Sequence, residues 1–203
     1  MKYSVTAFLI ICFCFNTKAQ NQNSIWIFGD SAGIDFTNVN SPIPISSAMD
    51  GRGSCASIAD SAGNLILYAA VLSKLNSDWS TRIFNSNDSI IQGCDSVTGA
   101  GWYNEVVSLP RPGHLNQYYI FSVGLDAPNN QGCFYTLVDM SLNNGLGAVT
   151  QQNIKINNER SADCLTAVKH GNGRDWWVIN KYYKPVSPNN HFNRFYTFLV
   201  TPD

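Results

Sequence analysis

Beyond residue 23 the chain is a succession of short apolar runs separated by turn residues. The runs cover 24–28, 64–69, 81–84, 117–122, 134–139, 175–179 and 194–200. Each is rich in β-branched and aromatic residues, which fit a pleated surface. Gly, Asn, Asp and Pro bound them, supplying the positive φ and the chain reversals that hairpins need. No window of a dozen residues holds apolar positions at i, i+3, i+4 and i+7 without an intervening Gly, Asn or Pro. The periodicity therefore predicts strands throughout, with at most one helical turn near 161–164.

Three hairpins share one layout, at 56–68, 106–121 and 166–179. Their turn glycines, Gly63, Gly113 and Gly173, lie 50 and 60 residues apart. A further strand follows each hairpin, at 81–84, 134–139 and 194–200. Units of about 40–50 residues with about four strands each are the propeller pattern. The predicted fold is all-β and propeller-like, about three divergent four-stranded blades after an N-terminal strand. A β-sandwich of the same content is the alternative. Closed propellers use roughly four to eight blades. Residues 20–203 thus read as a single, incomplete domain, either the opening blades of a longer chain or a part that assembles with another copy.

The N-terminus follows a different pattern. Met1-Lys2 gives a positive start, 5–15 is apolar apart from Thr6, and Thr17 and Ala19 are the small residues before a cut at Gln20. This is a secretory signal peptide over 1–19, too short to cross a bilayer as a helix. Cys12 follows Ile11 and Cys14 follows Phe13, so neither has the small residue that precedes a lipidated cysteine. A secreted or outer-surface protein is expected, with an N-terminal anchor as the alternative. Processing removes Lys2 and Lys18, which takes two of the 13 basic groups and none of the 14 acidic ones.

Charged residues make up only 13% of the 203 residues, and 23 asparagines take much of the polar share. With a net charge of −1 and no basic cluster, nucleic acid and anionic membrane are excluded as partners. Aromatics at 12% speak against disorder. The mature chain keeps Cys55, Cys94, Cys133 and Cys164, which allow three disulfide pairings that sequence cannot distinguish. Buried free thiols are the other reading of these cysteines. Their spacings of 39, 39 and 31 fit no zinc motif, so no metal or other cofactor is expected.

A family resemblance rests on four stretches. They are Trp26-Ile-Phe-Gly-Asp-Ser-Ala-Gly-Ile-Asp-Phe36, Gly63-Asn-Leu-Ile-Leu-Tyr68, Val138-Asp-Met-Ser-Leu-Asn-Asn-Gly-Leu-Gly-Ala-Val149 and Leu165-Thr-Ala-Val-Lys-His-Gly-Asn-Gly-Arg-Asp-Trp-Trp-Val178. In this order they resemble the N-terminal, propeller-like region of large secreted surface proteins of Bacteroidetes. Such proteins commonly carry further blades, PKD-like or other adhesion modules and a C-terminal domain for type IX secretion or gliding motility. The resemblance implies export, a β-propeller and a surface role, with no established reaction. This chain departs from it in lacking the further blades and the sorting domain.

Candidate chemistry is sparse. His114 and His170 sit in hairpin turns, where a polar residue is the default, and nothing places them with His191. There is no Gly-x-Ser-x-Gly elbow and no phosphate-cradling loop. A glycosidase needs one protonated and one ionised carboxyl, and Asp35, Asp60, Glu105, Asp139, Asp163 and Asp175 are the available groups. Several of these are natural turn residues. The stretch 50–54 reads as a polar loop that could present Asp50 and Arg52. Trp79 and Trp102 fall outside the strong strands, among Asn, Ser and Gly, and are the rings expected at a binding surface. Adjacent Trp176 and Trp177 must face opposite sides of their strand.

The sequence thus predicts a non-catalytic recognition or adhesion module whose partner is an extracellular glycan or surface protein. A carbohydrate-active enzyme and a structural spacer are the alternatives. Mass spectrometry of the exported protein should find an N-terminal peptide that begins at Gln20. A peptide that retains the 5–15 run would instead mark an anchored protein.

Overall fold

In the computed structural model, residues 21–72, 81–99, 103–124, 131–183 and 194–203 are described. They form an all-β protein of four small antiparallel sheets. The first holds β1 (Ile25–Phe28), β2 (Ala32–Asp35) and β3 (Ile43–Ser46). The second holds β4 (Gly51–Ala59), β5 (Leu65–Leu72) and β6 (Thr81–Asn85). In the third are β7 (Val106–Pro110), β8 (Gln117–Gly124), β9 (Gly132–Asp139) and β10 (Ala148–Lys155). The fourth comprises β11 (Ser161–Lys169), β12 (Trp176–Tyr182) and β13 (Phe195–Val200). Within each sheet the strands lie side by side in chain order. The described strands form no closed barrel.

All seven expected strand runs are strands, and the three hairpins are β4–β5, β7–β8 and β11–β12. Three strands escaped the pattern. β2 (Ala-Gly-Ile-Asp) is short and half polar, β3 contains Pro44, and β10 is largely polar. β3 and β10 are edge strands, where a missing N–H or a polar face is tolerated. The N-terminal strand is consequently not a lone element before three units. It opens a three-stranded sheet of its own, the first, and only the third sheet has four strands. The helical turn expected near 161–164 is instead the start of β11, with a register shift between Ser161 and Leu165. The expected polar loop at 50–54 is also corrected: Gly51–Ser54 already belong to β4, with Gly51 paired to Leu72.

The sheets stack face to face in chain order, with one apolar core per interface. Between the first and second sheets, Ile25 and Ile27 meet Met49, Ala59, Tyr68, Ala70 and Phe84. Between the second and third, Leu67, Ala69 and Ile83 meet Val106, Ile120 and Val138, with Ile91, Cys94 and Val97 from the segment after β6. Between the third and fourth, Leu109, Phe121, Val123 and Cys133 meet Leu165, Val178 and Val200. Successive strand residues point to opposite faces, which is why neighbours such as Leu67 and Tyr68 fall in different cores. The two middle sheets are therefore covered on both faces.

The first strands of neighbouring sheets are in contact: β1 lies on β4, β4 on β7, and β11 on both β7 and β8. The Ser54 hydroxyl in β4 accepts the N–H groups of Glu105 and Val106 at 2.8 and 2.9 Å. A parallel bridge joins Asn104 to Cys164, so the third and fourth sheets enter side by side in the same direction. At the first interface Gly29 lies so close to the Gly51 carbonyl that no side chain fits.

Tyr68 ties the first two sheets together. Fully buried, it stacks on Phe84 at 5.0 Å between centroids. Its hydroxyl donates to Asp88 Oδ1 at 2.6 Å and accepts the Ala48 N–H at 3.1 Å. Burial, first, and the Asp88 bond raise its pKa far above the usual phenol value, so it remains a donor at any physiological pH. Tyr68→Phe keeps the packing but removes the hydroxyl's bonds to the exposed Asp88 carboxylate and to the Ala48 N–H, and should cost about 1 kcal/mol in urea unfolding. Unchanged stability would mean that water replaces the hydroxyl at no cost.

Candidate functional site

Only part of the set singled out from sequence falls within the described residues. Trp79 and Trp102 lie outside the described residues. Asp50 is exposed immediately before β4, and Arg52 is a β4 residue whose side chain is not described. The four cysteines are free thiols. Cys94 and Cys133 are buried in two different cores and Cys55 packs against the third, while Cys164 is exposed on β11. Burial pushes the Cys133 thiol up to about 12, and also raises Cys94 and Cys55. These three pack as small apolar groups. Among the described residues no cluster of three or more His, Cys, Asp or Glu could hold a metal.

Four of the six carboxylates considered for catalysis are parts of turns. Asp60 accepts from Asn64 through side chain and backbone, at 2.9 Å each, and from Ala62 N–H at 2.8 Å. Asp35 is held by Thr37 in the same manner. Asp139 is capped by Ser141 and receives Gln117 at 2.9 Å. Asp175 pairs with Arg174 at 2.6 Å, and the Asn172 side chain bonds it at 2.7 Å. Each is held below the ordinary carboxylate pKa by its leading partner, namely Asn64, Thr37, Ser141 and Arg174 respectively; Asp175 falls to about 2. A glycosidase acid requires a raised pKa, so these four are ill suited to that role. Glu105 is fully buried at the entry to β7, and Asp163 is half-buried in β11.

His170 and His114 lie beside hairpin turns, and His191 lies outside the described residues. His170 Nδ1 accepts the Asn172 N–H at 3.1 Å within the β11–β12 hairpin. His114 lies 3.2 Å from the Pro202 carbonyl. Trp176 and Trp177 face opposite sides as expected. Trp176 packs on the third core with the Lys169 ammonium 4.8 Å from its ring centroid, and Trp177 lies beside His170 on the other face.

The structure does assemble a cleft that the linear pattern did not mark. Beyond the close approach of β7 and β11, the third and fourth sheets leave an open groove of about 200 Å³. Tyr119 and Phe121 of β8 and Tyr135 of β9 form one wall; Phe198, Val200 and Thr201 lie opposite. Tyr119 meets Tyr135 edge-on at 5.3 Å and Phe121 at 5.7 Å. These rings project the same way because 119 and 121 are two apart on β8, and Phe121 pairs directly with Tyr135.

A polar rim surrounds the rings. The Tyr135 hydroxyl donates to Gln151 Oε1 at 3.0 Å. The Arg111 guanidinium lies 6.0 Å from the Tyr119 centroid and donates to Gln117 Oε1 at 2.8 Å and to the Pro202 carbonyl at 3.4 Å. Burial, outweighing Arg111, raises the Tyr119 pKa, so its phenol stays protonated. Aromatic faces edged by hydroxyl, amide and guanidinium groups suit a ligand with an apolar face and a polar perimeter. The only sequence signal for this cleft was the Tyr-Tyr-Ile-Phe run at 118–121, which reads equally well as core.

Comparison with known protein families, with curated proteins and with solved structures gives no match.

The depressed pKa of Asp175 has a consequence for acid stability. Its native-state partners favour the ionised form, so its stabilising contribution is complete above the unfolded carboxylate value near 4. That contribution is lost as pH falls through about 2. Asp175→Asn should lower the melting temperature at pH 7 and narrow its gap to the wild type between pH 4 and pH 2. A gap independent of pH would show that the charge of Asp175 is not what holds the hairpin.

Proposed function

We propose that this chain is an exported, non-catalytic recognition module of propeller-like architecture, and that it binds a sugar residue of an extracellular glycan in the aromatic cleft between its third and fourth sheets. The propeller reading is supported by the succession of first strands β1, β4, β7 and β11, by the parallel Asn104–Cys164 bridge, and by three separate cores in chain order. A two-layer sandwich has one core between two sheets. Covering both faces of two middle sheets favours radial or linear repetition instead.

The observation that carries the ligand class is the wall of Tyr119, Phe121 and Tyr135 with its rim of Arg111, Gln151 and Thr201. A pyranose has one face of C–H groups and an equator of hydroxyls. Rings take the first by dispersion and desolvation, and the rim takes the second by hydrogen bonds. Export places such a site where glycans are found, consistent with the surface role that the family resemblance implies.

Glycan-array screening followed by calorimetry tests this reading. Tyr119→Ala and Tyr135→Ala should each weaken binding about 10-fold, the usual loss for a central aromatic contact. Leu115→Ala, at a fully open surface site, should leave it unchanged. Binding lost instead with Trp79→Ala or Trp102→Ala, or no binding to any glycan, would refute the cleft as the site.

A further inference from the structure

The two ends of the stack have the composition of interfaces. A sheet with one wet face shows apolar and polar residues in alternation, whereas a sheet covered on both faces reads as a continuous apolar run. β5 and β8 are such runs and belong to the doubly covered middle sheets. β1 (Ile-Trp-Ile-Phe), the start of β12 (Trp-Trp-Val-Ile) and β13 (Phe-Tyr-Thr-Phe-Leu-Val) are also such runs, yet among the described residues each has only one covered face. On the first sheet the outward row contains Trp26 at 54% exposure and Phe28 at 38%, with Ile34 and Pro44 paired beside Trp26. On the fourth sheet Val168 (52%), Trp177 and Leu199 (47%) form one cross-strand row, with Phe195 (54%), Thr197 and Lys181 on the same face; Leu199 also borders the cleft. Neither set contains a carboxylate.

The three internal interfaces prescribe how such faces meet. In each one, the side of a sheet turned toward the C-terminal end of the stack receives the side of the next sheet turned toward the N-terminal end. The free face of the fourth sheet is of the first kind, and the free face of the first sheet is of the second. A sheet-1 face is therefore the geometrically matched cover for a sheet-4 face, and a second copy of the chain supplies it. We propose that two copies associate head to tail, the fourth sheet of each packing on the first sheet of the other. Two such contacts close a ring of eight sheets, within the roughly four to eight that propellers use. Heterologous contacts that close in this way end growth, whereas contacts that do not close give filaments. This association is independent of any ligand in the cleft.

Light scattering on the full chain, expressed for export and purified at tens of micromolar, should give twice the protomer mass. Trp26→Glu and Leu199→Glu each place a charge on one of the two faces and should each yield folded monomers, with dissociation constants raised ~100-fold or more. Mixed together, the two variants should recover a dimer, because one undamaged contact remains between a wild-type sheet-4 face and a wild-type sheet-1 face. Circular dichroism verifies that each variant is folded. If Leu199→Glu fails to fold, Phe195→Ser replaces it. A monomeric wild-type chain would overturn the proposal, as would a dimer broken by the sheet-4 variant but not by Trp26→Glu, the mark of a sheet-4-to-sheet-4 contact. Failure of the mixed variants to pair would also overturn it.

Discussion

The structure depends on two middle sheets that bury both faces. Here the second and third sheets are covered on both sides, and their strands are apolar at odd and even positions alike. Leu67, Tyr68, Ala69 and Ala70 are all fully buried, although they point alternately into two different cores. One strand thus serves two interfaces, and a change at either parity is felt by a different neighbouring sheet. Tyr68 shows how polar atoms are accommodated in such a place: its ring fills the core while its hydroxyl reaches the Asp88 carboxylate and a backbone N–H.

The same stacking generates the cleft. First strands can approach closely because Gly29 meets the Gly51 carbonyl without a side chain and Ser54 satisfies the backbone of Glu105 and Val106. Sheets are twisted, so neighbours in tight contact along one edge diverge along the other. Between the third and fourth sheets the divergence leaves Tyr119, Phe121 and Tyr135 partly uncovered, facing Phe198 across the groove. Binding surface here is core chemistry that the geometry of the stack leaves open. The turns contribute rigidity instead. Asp35, Asp60, Asp139 and Asp175 spend their hydrogen-bonding capacity on backbone and neighbouring side chains, which holds them ionised.

The ends of the stack pose the converse problem. An internal sheet is buried by its predecessor and its successor, but the first and fourth sheets each have one neighbour among the described strands. Their outward residues are nevertheless of the internal type, with Trp26 and Phe28 at one end and Val168, Leu199 and Phe195 at the other. Repeat architectures meet this difficulty either by capping repeats with polar outer faces or by closure. The outer rows at both ends are largely apolar.

Sequence alone determined the all-β class, the positions of seven strands and the three hairpins. These follow from local rules: β-branched and aromatic runs favour a pleated strand, and Gly or Asp at the turn reverses it. The opposite placement of Trp176 and Trp177 was legible for the same reason. The strands β2, β3 and β10 were not, because short, proline-containing or polar edge strands owe their pairing to a neighbour rather than to their own pattern. The register-shifted start of β11 and the pairing of Gly51 with Leu72 likewise depend on contacts distant in sequence. Only tertiary structure decided which core each apolar residue enters, that the cysteines lie in separate places, and that Tyr119, Phe121 and Tyr135 border an open groove. A run of apolar residues announces that burial is needed, but which face is covered, and by what, is settled by the sheet that comes to lie against it.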